Sequence, residues 1–384
     1  MSVLFLVPAH GQERLLRAKV AGLFLWERLY HNALRSGLTP VFIVEKDSLL
    51  EKELPDDVAV TQPSMLPCGF QTVVVCSPSV LPDISCLERV RQEDVPEGVF
   101  FDLKGMFIFR PSDDCSELAK AFGPNGFHSL KGFLATSLEP RELSCNGDIL
   151  PVANENDIRR AEKRLFDGLV KDTEGFMSKH VERRISLFLS KRLVNTSITP
   201  NQITVISTII GLVGAFFISI GQGFWQILGS LLFLLHSIVD GCDGEIARIK
   251  FMESRLGGVL DFWGDNIVHA AVFSAIGIEW ARRTNSTMPL YLSLAAVIGT
   301  MLSASIVYFS TMRAKKDKGP LYTSVSADKK KNNVVKIADF LSRRDFIYLV
   351  VILAFFKHLD WFLVAASIGS LVFAGVLLWI QFTG

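Results

Sequence analysis

Along residues 1–150 the apolar positions come in short runs separated by polar and turn residues: "VLFLV", "PVFIVE", "VAVTQ", "TVVVC" and "GVFFDLKGMFIF". Runs of this length, rich in Val, Ile and Phe, predict strands. Residues 13–36, "ERLLRAKVAGLFLWERLYHNALRS", carry helical spacing that ends before Gly37. Strands interspersed with a helix of that length predict an α/β domain with a mainly parallel, covered sheet. From Gln202 the pattern changes to long apolar stretches at about 202–220, 224–240, 257–280, 289–312, 345–357 and 360–382. Several approach the ~20 residues that cross a ~30 Å hydrocarbon core. The predicted architecture is a soluble α/β domain over residues 1–155, a linker with an amphipathic helix over 156–200, and an α-helical integral membrane domain of six transmembrane helices over 201–384.

In the linker Met177, Val181, Ile185, Phe188 and Leu193 mark one face, while Lys179, Arg183, Arg184, Lys191 and Arg192 supply cations. Such a helix beside a membrane segment lies along the lipid surface; an ordinary packed connector is the other reading of its first half. The formal net charge of +1 averages two unlike halves and says little about partners, and nucleic acid is not expected among them. Six cysteines without a CxxC pair suit a reducing compartment and give no zinc spacing. The opening "MSVLFLVPAHGQERLL" lacks a basic n-region, which places the first half in the cytoplasm. Arg248, Lys250 and Arg255 follow the second stretch, and Arg313, Lys315, Lys316, Lys318, Lys329, Lys330, Lys331, Lys336, Arg343 and Arg344 follow the fourth. The positive-inside rule puts both loops in the cytoplasm, against the smaller count of Arg282 and Arg283 in the opposite connection.

One segment breaks the apolar pattern. "HSIVDGCDGEIARIKFMESRLGGVLDFWGDNIVHA", residues 236–270, holds Asp240, Asp243, Asp261 and Asp265. The first pair is three apart and the second four apart, so on helices each pair shares a face. Gly244 and Ala247 fall on the face of the first pair and leave a shallow groove. A carboxylate at the bilayer centre costs ~2.5–3.5 kcal/mol even on insertion scales; solvation at the cytoplasmic helix ends is the bland alternative. Four carboxylates held together repel one another unless cations intervene, and hard oxygen ligands select Mg²⁺, Mn²⁺ or Ca²⁺. Two divalent ions would balance the four charges, and such a clamp suits displacement at phosphorus.

The frame Asp240, two residues, Asp243-Gly244, two residues, Ala247-Arg248, eight residues, Gly257, three residues, Asp261, three residues, Asp265 resembles the signature of the CDP-alcohol phosphotransferase family. The resemblance covers about residues 176–384, and "TSITPNQIT" is similar to the family's lead into its first membrane helix. It implies that Asp240, Asp243, Asp261 and Asp265 hold Mg²⁺ or Mn²⁺, as two ions, with Asp265 also the general base on an acceptor hydroxyl. It implies room for the cytidine nucleotide at Gly244, Ala247 and Gly257, with Arg248, Asn201 and Thr204 nearby. The implied reaction transfers a substituted phosphate from a CDP-alcohol donor to a polyol or phosphorylated-polyol acceptor, releasing CMP, in a membrane-embedded homodimer of lipid biosynthesis. "DFLSRRDF" resembles the place where members bind the acceptor, which nominates Arg343 and Arg344, and more weakly Arg313; topology alone also accounts for arginines there. His236, one turn before Asp240, reads as a packed histidine or as a group orienting an acid.

The N-terminal half resembles the opening of a sugar-nucleotide or cytidylyltransferase domain, although only Gly11 and Arg14 of "AHGQER" stand where a Gly-rich phosphate turn belongs. The stretch 155–195 followed by "TPN" is similar to the junction in fused inositol-phosphate cytidylyltransferase and dialkyl-inositol-phosphate synthase proteins. The leading expectation is a membrane transferase with a catalytically silent soluble domain. A bifunctional enzyme that makes its own CDP-alcohol is the alternative. A divalent-cation transporter is a third reading, which does not require the Gly-Ala-Arg spacing.

Overall fold

The computed structural model describes residues 3–8, 13–44, 49–62, 70–111, 127–145, 147–169, 182–312 and 346–383. The chain divides into two compact units, Met1–Asp167 and Gly168–Gly384.

In the first unit the described strands are β1 (Val3–Pro8), β2 (Lys19–Val20), β3 (Leu23–Phe24), β4 (Thr39–Ile43), β5 (Val60–Thr61), β6 (Thr72–Cys76), β7 (Val80–Pro82), β8 (Val99–Asp102), β9 (Met106–Phe109), β10 (Glu139–Glu142) and β11 (Ile149–Pro151). The helices are α1 (Glu13–Leu16), α2 (Leu25–Arg35), α3 (Leu49–Glu53), α4 (Ile84–Gln92), α5 (Phe127–Ser137) and α6 (Glu155–Asp167). Seven strands form one sheet in the order β10-β8-β9-β6-β1-β4-β5. All pairings in it are parallel except the two made by β9, so β9 alone runs against the rest. The period-2 alternation of β1 sends Val3, Phe5 and Val7 into a core with Leu25, Leu29, Leu87 and Ala161, and Leu4 and Leu6 into a second core with Leu130 and Leu134. Both faces of the sheet are therefore covered, as parallel strands require.

The helix expected over 13–36 is corrected. Ala21 and Gly22 turn the chain in the left-handed region (φ 46° and 83°), which closes the β2–β3 hairpin between α1 and α2. The buried carbonyls at that turn are met by buried Arg28, whose Nε donates to Val20 O at 2.5 Å and Nη2 to Ala21 O at 2.8 Å. Burial of this guanidinium pushes its pKa down to about 10, although Glu162 and Glu27 oppose the shift.

In the second unit the described helices are α7 (Arg183–Leu193), α8 (Pro200–Ile220), α9 (Phe224–Ile249), α10 (Arg255–Thr284), α11 (Met288–Val307), α12 (Phe346–Phe355) and α13 (Leu359–Thr383), with a π-helical turn at Tyr308–Met312. α8 starts sharply because Pro200 occupies its first turn and Thr199 caps it, while Gln202 returns a bond to the Thr199 N–H at 2.9 Å. α8 and α9 pack backbone to backbone, since a Cβ at Gly229 would fall 2.5 Å from the Gly214 carbonyl oxygen. Among the described residues a helix occurs at each of the six expected stretches, but only four are long and apolar enough to cross a membrane: Pro200–Ile220, Phe224–Ile249, Met288–Ser310 and Leu359–Trp379. α10 has the length, but Asp261, Asp265, Glu279, Arg282 and Arg283 interrupt its apolar run. The ten residues of α12 rise only ~15 Å.

The face of α7 turned to the protein is rich in serine, with Ser186 and Ser190 buried. Ile185 and Phe188 are exposed beside Arg184, Lys191 and Arg192, with the Arg192 guanidinium 4.6 Å from the Phe188 ring centroid. Met177, Lys179 and Val181 lie outside the described residues.

Candidate active site

α9 and α10 bring the acids together. Asp240 and Asp243 occupy successive turns near the end of α9, and a turn closed by the Met252 N–H on Ala247 O at 2.9 Å leads into α10. Ser254 caps α10 by accepting from the Gly257 N–H at 3.0 Å, which puts Asp261 and Asp265 in its second and third turns. Carboxylate oxygens of Asp240, Asp261 and Asp265 all lie within 4.8 Å of one another. Asp240 is 3% exposed, and the other two are half-buried.

Three negative charges at that separation repel by about 3 kcal/mol per pair at an effective dielectric of ~20. An all-carboxylate donor set drawn from two helices fits a hard divalent cation, which removes that repulsion. Asp243, expected in the same ligand set, stands apart from this trio. It is 7% exposed and its Oδ2 accepts a short hydrogen bond from the Thr204 hydroxyl of α8. Thr204, expected beside the nucleotide, is thus engaged by an acid of the signature.

The remaining signature residues surround these acids. A Cβ at Gly257 would fall 2.8 Å from the Asn201 amide oxygen, so the start of α10 meets the start of α8 at this glycine. At Gly244 the nearest group to an added Cβ is the flexible Arg248 guanidinium, at 3.4 Å, which leaves the α9 backbone open toward a ligand. Ala247 and Arg248 follow on the next turn, both half-buried. Asn266 closes on its own helix, donating to Phe262 O at 2.7 Å. Arg313, Arg343 and Arg344, the expected acceptor residues, lie outside the described residues, as does Gly11.

His236 is a packed histidine, the first of the two readings made of it. It is 2% exposed and stacks against Phe233 with centroids 6.2 Å apart. Its Nδ1 lies 2.9 Å from the Ser207 carbonyl, which can only accept, so Nδ1 carries a proton and Nε2 faces Asp265 Oδ1 at 3.4 Å. The acid it meets belongs to α10, not to its own helix. Sequence reasoning also passed over Glu245, a fully buried acid inside the signature; a further acid in the last turns of an apolar helix was the available signal.

A family model described as CDP-alcohol phosphatidyltransferase matches residues 197–382. This stretch belongs to that family. The matched stretch contains α8 to α12, nearly all of α13, all four acids and the residues expected beside the nucleotide. Among curated proteins, the chain is 33% identical over 163 residues to the "Bifunctional IPC transferase and DIPP synthase" of Thermococcus kodakarensis, covering 42% of this chain and 35% of that one. It is 26% identical over 174 residues to the "Archaetidylinositol phosphate synthase" of Pyrococcus horikoshii, covering 45% of this chain and 86% of the relative. The matches to the bifunctional relatives span about a third of their length. Among solved structures, Mycobacterium tuberculosis phosphatidylinositol phosphate synthase with CDP-DAG bound aligns at 18% identity and TM-score 0.38, over 52% of this chain and 94% of that one.

Proposed function

We propose that this protein transfers a substituted phosphate from a membrane CDP-alcohol to the hydroxyl of a polyol or phosphorylated polyol, releasing CMP. The observation that carries this reading is the convergence of Asp240, Asp261 and Asp265 oxygens within 4.8 Å, inside a domain of the CDP-alcohol phosphatidyltransferase family. Asp240, Asp261 and Asp265 would hold Mg²⁺ or Mn²⁺, with Asp243 completing a set for two ions. Bound there, the metal supplies charge neutralisation for the diphosphate and the leaving phosphate.

Asp265 accepts the proton of the acceptor hydroxyl as that oxygen bonds to the β-phosphorus. The bond from the β-phosphorus to the oxygen it shares with the α-phosphate breaks, and CMP leaves with that oxygen. Gly244 and Ala247 give the nucleotide close approach to α9, Asn201 and Gly257 line the facing ends of α8 and α10, and Arg248 offers a guanidinium to phosphate. Thr204 holds Asp243 in place. Arg343 and Arg344, with Arg313, would take the acceptor's phosphate.

The family description favours a CDP-activated lipid as donor, and the name of the archaetidylinositol phosphate synthase relative favours inositol phosphate as acceptor. The same reading has a homodimer whose active face lies in the cytoplasm together with a soluble domain that is catalytically silent, since Gly11 and Arg14 alone stand for a Gly-rich turn in "AHGQER". Purified protein incubated with CDP-diacylglycerol or CDP-archaeol and inositol phosphate should release CMP in Mg²⁺ or Mn²⁺ and stop in EDTA. Absence of CMP across a panel of CDP-lipids and polyol phosphates would refute the transfer. CTP consumption by the same preparation would overturn the silent N-terminal domain.

A further inference from the structure

Within residues 240–248 the α9 helix faces two ways. Asp240, Asp243 and Gly244 look toward the site, while Gly241, Cys242 and Glu245 look toward α7. Glu245 is 0% exposed, and its Oε1 accepts from Arg183 Nη1 at 2.7 Å and from Ser186 Oγ at 2.6 Å. Both donors lie on α7, one turn apart. Cys242 Sγ lies 3.5 Å from the Ser186 carbonyl, and a Cβ at Gly241 would come within 3.7 Å of Ser186 Cβ. Ile203 of α8 joins Cys242 and Ile246 in an apolar cluster with Leu189 and Leu193 of α7.

A buried ion pair is weak support for stability, because desolvation of two charges offsets their attraction, and apolar replacements of similar volume often fold as well or better. What the pair does supply is a fixed geometry, since the guanidinium and hydroxyl converge on one carboxylate oxygen. Resting on the transfer reading above, we propose that Arg183, Ser186 and Glu245 are positioning residues: they lock α7 to the back of the signature and so fix the placement at which Gly244, Ala247 and Arg248 receive the nucleotide. None of the three touches substrate.

The double substitution Arg183→Met with Glu245→Met tests this, since it keeps the volume and removes both charges. Measured by CMP release with CDP-diacylglycerol and inositol phosphate, KM for the CDP-lipid should rise about tenfold, the equivalent of ~1.4 kcal/mol. The acceptor KM should hold, and the melting temperature should stay at or above wild type. Arg183→Lys should recover part of the loss, and Ser186→Ala, which leaves no charge unpaired, should raise the donor KM by a smaller factor. Wild-type donor KM in a stable double variant would overturn the proposal. If the double variant does not fold, Arg183→Lys and Ser186→Ala decide: donor KM raised in both supports positioning, and wild-type values in both overturn it. Wild-type protein that releases no CMP would instead refute the transfer reading itself, so the two failures are told apart.

Discussion

Asp261→Asn separates the two things that a carboxylate does in this cluster. In metal-free protein Asp261 repels Asp240 and Asp265, whose oxygens lie within 4.8 Å of its own. Each contact costs about 3 kcal/mol at an effective dielectric of ~20, so two contacts sum to roughly 6 kcal/mol. Proton uptake caps that figure, because neutralising a carboxyl of ordinary pKa near 4 at pH 7 costs about 4 kcal/mol. Half-burial of Asp261 lets solvent screen part of the remainder, which leaves about 1–3 kcal/mol for the asparagine to recover. With metal the sign reverses, since the variant has lost a charged ligand. A site occupied at a hundredfold excess over Kd stabilises the folded state by about 2.7 kcal/mol. Thermal unfolding in detergent, in EDTA and again with Mg²⁺ or Mn²⁺, reads both effects. Wild type should melt higher with metal; Asp261→Asn should melt above wild type in EDTA and lose most of the metal response. A variant that melts below wild type in EDTA, or a wild type indifferent to both ions, would refute the electrostatic account of the cluster.

Asp265→Asn should lower transfer by ~10²–10⁴ while CDP-lipid binding survives, because loss of a general base acts on the chemical step; activity above a tenth of wild type by CMP release would remove Asp265 from that role. Gly229→Ala should force α8 and α9 apart, since its Cβ would fall 2.5 Å from the Gly214 carbonyl and 2.8 Å from the Ile218 nitrogen. The overpacking should cost about 1–3 kcal/mol, read as a lower melting temperature. Arg343→Ala and Arg344→Ala should each raise the acceptor KM about ten- to a hundredfold with the donor KM unchanged, as the loss of a charge-assisted phosphate contact requires. Equal small effects on both constants would move the acceptor pocket elsewhere.

Elements whose cause is local were legible in the sequence. "TSITPNQ" contains the Thr cap, the Pro of the first turn and the Gln that completes the capping box, and α8 begins at Pro200 as that chemistry dictates. The alternation in "VLFLV" reappears as two cores on opposite faces of β1. Residues 13–36 misled because their apolar spacing continues through Ala21 and Gly22, and the chain turns there for a reason held elsewhere. The Ala21 N–H is bonded to Glu162 Oε1 at 2.7 Å, across 141 positions, and Arg28 collects the turn's carbonyls from the following helix. A hairpin held by such distant partners leaves no periodic trace.

The same division runs through the site. Spacing along one helix placed Asp240 with Asp243 and Asp261 with Asp265, because i, i+3 and i, i+4 positions share a face whatever surrounds them. Which acids meet across helices is set by packing, and there the structure regroups them: Asp240 joins Asp261 and Asp265, while Asp243 turns to Thr204. The other charges of the domain follow the same logic. Arg282 and Arg283, expected in the outer connection contrary to the charge count of the loops, stand in the last turn of α10. Arg283 Nε lies 3.4 Å from Glu279 Oε1 and its Nη2 lies 3.7 Å from Asp360 Oδ2, while Arg282 donates to the Ser219 carbonyl at 3.3 Å. Glu279 is itself buried on α10 and also accepts from Gln226 at 3.1 Å. An acid buried in an apolar bundle requires a cation within reach, and Arg283 is placed one turn on to supply it. Arg283 answers a local demand for charge, as Arg183 does for Glu245 at the other end of α9, and Arg282 meets a backbone carbonyl, so both have local partners whichever side of the membrane they face.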